Sequence, residues 1–427
     1  MKNAENPLSE GPWRRGLLGI LWLPVLLIVD TYVAVSRGWQ PASGGTFGRL
    51  PWLAVVIVAV ALVTSVRPAG RRWLGRHAGR LGLFSVALAI ALGAAEWMLA
   101  LIRPSAPFHG RVPRARYSMN PNSFALPGVF DPALLTVNSL GQRGPEPAGK
   151  SGACRILCIG GSSTECVYLD DGETWPALLM KHLNDAGNGK YWVAAASVSE
   201  FATGHHVRFL RDSPAIKETD SVVIMPGAND FLRLLLGYDM GDEPPIWMQS
   251  NLMSLVREFW NARLRMGIYY DDTGEVHALR ERGLAMPERE ISLASALDDY
   301  SARLKELVNA AKESGVSIVL VTQPVLWDPF LTTLGNRRLR FARVYPFPRD
   351  WKFLAPDKLR DAFDQYNARL AAVAKETGAG FVDPAASMNG IEQYFYDDFH
   401  LSESGCARLA EILAEWFAKH PPCADGK

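Results

Sequence analysis

The sequence predicts an α/β domain, a parallel sheet sandwiched by helices, preceded by three transmembrane helices. Three observations carry this. Apolar stretches crowd the first hundred residues. From Ala153 onward, short β-branched or apolar runs alternate with amphipathic stretches of helical period. The runs themselves, as at 221–225, are apolar almost throughout. Such alternation marks βαβ units, and strands apolar on both sides suit a sheet covered on both faces.

The apolar stretches 17–36, 50–66 and 81–102 are each near the ~20 residues a helix needs to cross the hydrocarbon layer. Repeated spans with basic connectors do not fit a cleavable signal peptide. Arg67, Arg71, Arg72, Arg76 and Arg80 fill the second connector, whereas the first holds only Arg37 and Arg49. The second connector is therefore expected on the cytoplasmic side, together with Lys2, Arg14 and Arg15. Three crossings then deliver the large C-terminal part to the opposite, periplasmic face of the cytoplasmic membrane. The expected division is a membrane anchor over 1–105, a linker and lead-in over 106–150, and the α/β domain over 151–427. Asp30 and Glu96 fall within the first and third spans, near span ends where tilt or local water can accommodate a carboxylate.

In the α/β part, strands are expected at 154–159, 191–196, 221–225, 316–322 and 380–382. Helices are expected at 174–184, 206–216, 292–314, 356–377 and 402–419. Two long interruptions, about 236–290 and 325–354, follow strand ends and are long enough to be functional. The second mixes Arg337, Arg338, Arg340, Arg343 and Arg349 with Tyr345, Phe347 and Trp351, a set able to grip an anionic or sugar-like chain, or simply a solvated basic loop.

Composition removes several function classes. A net charge of +1 without single-sign blocks does not point to nucleic acid. The five cysteines, Cys154, Cys158, Cys166, Cys406 and Cys423, show neither a CxxC pair nor a zinc-like cluster, so no structural metal and no cofactor are expected. Outside the cytoplasm one bridge is feasible, and Cys154 with Cys423 is the expected pair.

Chemistry is sought at the carboxyl ends of the strands. The first strand runs into Gly160-Gly161-Ser162-Ser163, where paired glycines permit a tight turn that exposes a hydroxyl. The third runs into Pro226-Gly227-Ala228-Asn229-Asp230, whose asparagine either caps the next helix or donates toward an oxyanion. Near the end stand Asp397-Asp398-Phe399-His400, where His400 supplies a base and Asp397 can orient its ring. A serine hydroxyl needs such a base to become nucleophilic. Ser163 is the rival of Ser162. His205 and His206 lack an Asp at useful spacing and read as surface or substrate-contact groups, and Cys166 reads as packing.

In this order, Gly-x-Ser, Gly-x-Asn-Asp and Asp-x-x-His resemble the SGNH/GDSL hydrolase family over roughly 138–418. The resemblance implies a flavodoxin-like sheet, Ser162 as nucleophile, His400 as general base with Asp397 as its partner, and an oxyanion hole from the Ser162 amide and Asn229. The run Val137 to Gly144 is similar to a lead-in of membrane-anchored bacterial members. One block departs from the pattern. Where the family has Asn-x-Gly after strand two, this chain has Ala195-Ala196-Ser197-Val198-Ser199, so the third oxyanion amide falls to Ser197.

The expected activity is a membrane-anchored esterase removing O-acyl groups, foremost O-acetyl, from an envelope or exported glycan, in the setting of envelope polysaccharide machinery. The same site serves an O-acetyltransferase equally well. A lipase or thioesterase needs an apolar pocket, which Trp247, Met248, Leu252, Trp260 and Met266 could line. A non-catalytic glycan-binding module is the remaining alternative.

Overall fold

The computed structural model describes residues 12–36, 50–102, 111, 113–119, 121, 126–130, 133–147, 153–186, 190–236, 250–253, 255, 293–339, 343–344, 352–353 and 355–423. The chain divides into two compact units, Met1–Ser105 with Tyr238–Arg263, and Ala106–Gly237 with Leu264–Lys427.

The first unit contains α1 (Pro12–Ser36), α2 (Leu50–Val66) and α3 (Pro68–Ile102). Of the three expected spans, two are long and apolar enough to cross a membrane, Trp13–Tyr32 and Pro68–Leu99. The middle one is shorter, because at 1.5 Å per residue its 17 residues cover only about 26 Å. Only 6% of either apolar window is buried, so neither is the covered core helix of a soluble domain. The basic connector is itself helical and forms the first half of α3. Helices α1 and α3 approach closely where α1 carries glycine: a Cβ on Gly16 would stand 2.5 Å from the Leu74 carbonyl oxygen. One turn on, the Ser85 hydroxyl donates to the Gly19 carbonyl at 2.5 Å, the small-residue packing that lets apolar helices associate. Glu96 has a protein partner: its carboxylate accepts from Asn251 N at 2.6 Å, Asn251 Nδ2 at 2.9 Å and Leu252 N at 3.0 Å.

The second unit opens with an antiparallel pair, β1 (Arg116–Met119) and β2 (Ala133–Thr136), drawn from the stretch read as linker and lead-in. Five parallel strands follow, β3 (Ala153–Gly160), β4 (Lys190–Ser197), β5 (Ser221–Met225), β6 (Ser317–Val321) and β9 (Gly380–Val382). They lie in the order β4-β3-β5-β6-β9. The short pair β7 (Arg343–Val344) and β8 (Lys352–Phe353) lies in the second interruption. Between and after the strands run α4 (Ser162–Glu165), α5 (Trp175–Asp185), α6 (Thr203–Asp212), α7 (Ala228–Leu236), α8 (Ala294–Glu313), α9 (Thr333–Arg338), α10 (Pro356–Thr377), α11 (Ala385–Met388) and α12 (Glu403–Lys419). Helix α5 packs on α12, while α8 packs on α6 and α10. Right-handed crossovers put these two groups on opposite faces, because the chain first steps one way to β4 and then returns across β3 to β5.

That order is the flavodoxin-like one, and its switch point, where a ligand crevice opens, lies between β3 and β5. Every residue of β5 is buried, as its unbroken apolar run requires. The core closes around Phe231, Trp327, Phe363 and Tyr366, whose rings meet edge-on or tilted at 5.4–5.6 Å centroid distances from Phe231.

The sheet's first strand is tied to the chain end by the expected bridge, Cys154–Cys423, which closes a loop of 269 residues. Cross-linking so long a loop restricts the unfolded chain, so Cys423→Ser is expected to cost about 2–5 kcal/mol. The check is urea unfolding of the two proteins, with wild type measured with and without reductant. An equal midpoint for all three samples contradicts it.

Candidate active site

The turns at the switch point set the site. Strand β3 ends at Gly160, Gly161 caps α4, and Ser162 is the first residue of that four-residue helix. Gly161 is required by its neighbour, since a Cβ there would lie 2.3 Å from Asn229 Nδ2 and 3.2 Å from the Phe201 carbonyl oxygen. From β5, Gly227 turns the chain at φ 108° and delivers Asn229 into the first turn of α7.

His400 arrives from the far end of the chain. An isolated bridge between Phe395 and Leu401 and a hydrogen bond from Tyr396 N to the His400 carbonyl at 3.1 Å fold 395–401 into a tight loop just before α12. Within it, Asp397 Oδ1 accepts from His400 N at 2.9 Å and Phe399 N at 3.2 Å. Its Oδ2 lies 2.7 Å from His400 Nδ1. On the other side of the ring, His400 Nε2 stands 2.6 Å from Ser162 Oγ. Asp397 is fully buried and His400 is 8% exposed. Tyr396 stacks on the imidazole at 5.5 Å, and Phe399 lies at 4.5 Å from it.

A carboxylate accepts only, so Nδ1 carries the proton, and Nε2 is left to accept the serine O–H. This arrangement can deprotonate Ser162. The rival hydroxyl faces away: Ser163 Oγ donates to the Phe399 carbonyl at 3.3 Å and is buried.

Asn229 Nδ2 donates one proton to the Phe201 carbonyl at 2.9 Å. An amide nitrogen has two, and anchoring one fixes the direction of the other. Asp230, its neighbour, is half-buried and accepts from Thr203 N and Oγ1. Burial pushes its carboxyl above the usual range, against the opposing pull of the Thr203 hydrogen bonds and Arg233. The expected third donor, Ser197, is the last residue of β4, opposite Gly160. It does not line the cleft, and the left-handed backbone of this block falls at Glu200, with φ 72°.

The cleft beside Ser162 opens to solvent, with Phe201, His206, Met225, Asn229 and Gln323 in its wall. Of the two adjacent histidines, His206 faces the cleft, while His205 Nδ1 accepts from Ala202 N at 3.2 Å and closes the first turn of α6. Cys166 packs against Cys406, Sγ to Sγ 3.7 Å. Of the interruptions, Trp247, Met248, Trp260, Met266, Arg340, Arg349, Tyr345, Phe347 and Trp351 lie outside the described residues.

Several polar residues that fasten the site gave no motif. Trp327 Nε1 donates to buried Asp398 at 2.8 Å, Gln323 Nε2 donates to the Phe399 carbonyl at 3.4 Å, and Arg338 Nη1 donates to the Phe395 carbonyl at 2.9 Å. Together they hold the histidine loop. Arg143 is buried and donates to the carbonyls of Glu165 (2.6 Å), Cys166 (2.7 Å) and Leu169 (2.6 Å), and to Asp171 (2.9 Å). The lead-in thus clamps the segment that follows Ser162.

Residues 158–408 match the model of the GDSL-like lipase/acylhydrolase family. A search of curated proteins finds no match. Among solved structures, the chain is similar to TesA, with 17% identity, 62% of this chain and 98% of that chain covered, and a TM-score of 0.37. It is also similar to Axe2, an acetylxylan esterase from Geobacillus stearothermophilus, with 18% identity, 61% and 93% covered, and a TM-score of 0.35. A third is LAE5, an alpha/beta hydrolase enzyme from the metagenome of Lake Arreo, Spain, with 16% identity, 64% and 98% covered, and a TM-score of 0.36.

Proposed function

The chain belongs to the GDSL-like lipase/acylhydrolase family and is an ester-bond hydrolase, and from that premise we propose that it is a membrane-anchored serine esterase removing short acyl groups, O-acetyl foremost, from an envelope glycan. The observation that carries the reading is the hydrogen-bond chain Ser162–His400–Asp397, assembled from residues 238 positions apart.

Ser162 Oγ attacks the ester carbonyl as His400 Nε2 takes its proton. Charge forms on the carbonyl oxygen, where the second Nδ2 proton of Asn229 and the amide of Ser162 stabilise it. The tetrahedral adduct collapses, the sugar hydroxyl leaves with the proton from His400, and the acyl group stays on Ser162. Water, deprotonated by the same imidazole, then releases the acid. Throughout, Asp397 holds the tautomer and stabilises the transient imidazolium.

Two features support a short acyl group and an exported substrate. The cleft wall sets the polar side chains of His206, Asn229 and Gln323 beside Phe201, Met225 and Ala228, a mixed lining that suits a small polar acyl group on a sugar better than a long apolar chain. The disulfide belongs to an oxidising compartment. That location requires an odd number of crossings from a cytoplasmic N-terminus. Helix α2, at the ~17-residue lower limit for a span, supplies the third.

The test is a series of chromogenic esters, acetyl to octanoyl, with the full-length chain in detergent. We expect kcat/KM to be highest for acetyl and to fall at least about tenfold by octanoyl, since the polar groups in the cleft wall give added methylenes little apolar surface to bury. Rising activity with chain length contradicts the acetyl reading and favours a lipase.

A further inference from the structure

We propose that Glu165 is a positioning residue: its buried carboxylate fixes the loop at 199–201, whose carbonyl aims Asn229, so that one strut sets the nucleophile and the oxyanion donor relative to each other. The inference rests on the esterase reading above.

Glu165 ends α4, three residues after Ser162, and its side chain is 1% exposed. A carboxylate so placed is costly unless paired and hydrogen-bonded. Its Oε1 meets the guanidinium of Arg111, which is 26% exposed and supplies the counter-charge. Its Oε2 accepts from Ser199 N at 2.8 Å and from Ser199 Oγ at 2.5 Å. Two residues on, the Phe201 carbonyl accepts from Asn229 Nδ2. The path Glu165, Ser199, Phe201, Asn229 therefore joins the helix that bears Ser162 to the amide facing it.

The backbone on both sides of this strut is held in an unfavourable conformation. Among the described residues, three non-glycines have positive φ, and two of them are Cys166 at 50°, next to Glu165, and Glu200 at 72°, next to Ser199. Such conformations persist where surrounding contacts over-determine them and cluster at functional sites. Arg143 supplies part of that determination by donating to the carbonyls of Glu165 and Cys166. A carboxylate that served packing alone would not need to bridge these two segments, both of which end at the cleft.

The experiment compares Glu165→Ala, Glu165→Gln and Ser199→Ala with wild type in the full-length chain. It measures kcat and KM on an acetyl ester, the rate of labelling by a fluorophosphonate, and the melting temperature. Glu165→Ala is expected to lower kcat and the labelling rate together by about 10²-fold, the scale of a lost oxyanion donor, with KM within about threefold. Glu165→Gln retains an acceptor for Ser199 N but loses the charge that faces Arg111, so it recovers about tenfold of that loss and stays about tenfold below wild type, while Ser199→Ala, which keeps the main-chain bond, loses less than about tenfold. Equal kcat and labelling rates in Glu165→Ala and wild type overturn the inference. So does a drop explained wholly by a smaller labelled fraction, which means unfolding alone. If Glu165→Ala does not fold, a Glu165→Gln variant with wild-type kcat and labelling rate overturns it. A wild-type chain that neither turns over nor labels removes the esterase premise and the inference with it.

Discussion

Ser162→Ala is expected to lower kcat by about 10⁶-fold while leaving the fold intact, the scale on which removal of a nucleophile disables a serine hydrolase. The hydroxyl contributes one hydrogen bond, to His400 Nε2, at a position open to the cleft. Its loss removes that one bond and leaves the Asp397–His400 pair in place. Steady-state kinetics on an acetyl ester together with circular-dichroism melting check both halves. A residual rate within tenfold of wild type would mean that another group attacks the carbonyl, and Ser163 is the neighbour best placed in sequence. The geometry argues against it, because that hydroxyl is turned toward the Phe399 carbonyl.

Asp397→Asn is expected to lower kcat by about 10⁴-fold with little change in stability. An asparagine oxygen can still accept from the main-chain amides of Phe399 and His400, which Asp397 now satisfies. Its NH₂ then faces His400 Nδ1, turns that nitrogen into an acceptor and leaves the proton on Nε2. The ring can no longer take the proton of Ser162. Asp397→Ala has a different signature, because two buried amides lose their acceptor at roughly 1–3 kcal/mol each. The pair of variants separates tautomer control from structural support. If Asn and Ala are equally active, or if Asn melts as low as Ala, the assignment of Asp397 is wrong.

How much of this was legible in the sequence follows from what local patterns encode. The strands at 221–225 and 380–382 are legible to the residue, because short runs of mainly apolar residues there are bounded by turn residues at both ends. Ser162 and Asn229 stand out because a strand end followed by a glycine turn advertises exposed chemistry, Asp397 and His400 because an Asp precedes a His by three residues, and the resemblance to the family supplies their order and their proposed roles. The stretch before β3 was read as a linker, since four-residue strands such as β1 and β2 carry too little periodicity to register.

The departure after the second strand shows where sequence ran out. With no glycine to mark a left-handed position, the sequence offers Ser197 for the third amide; that residue lies in the strand opposite Gly160, and Glu200 takes the positive φ. Arg143, Glu165, Gln323 and Asp398 were invisible for another reason. Each is a polar residue whose place is set by hydrogen bonds to chain segments distant in sequence, and no period or spacing announces such a partner. Composition marks the middle apolar stretch as a third span, and its 17-residue helix is shorter than the two that are long and apolar enough to cross a membrane.

The most direct measurement is covalent labelling of the full-length chain by a fluorophosphonate, followed by mass mapping of the adduct in wild type, Ser162→Ala and Ser163→Ala. The account predicts one adduct, on Ser162, absent from Ser162→Ala and retained in Ser163→Ala. An adduct on Ser163, or undiminished labelling of Ser162→Ala, contradicts it.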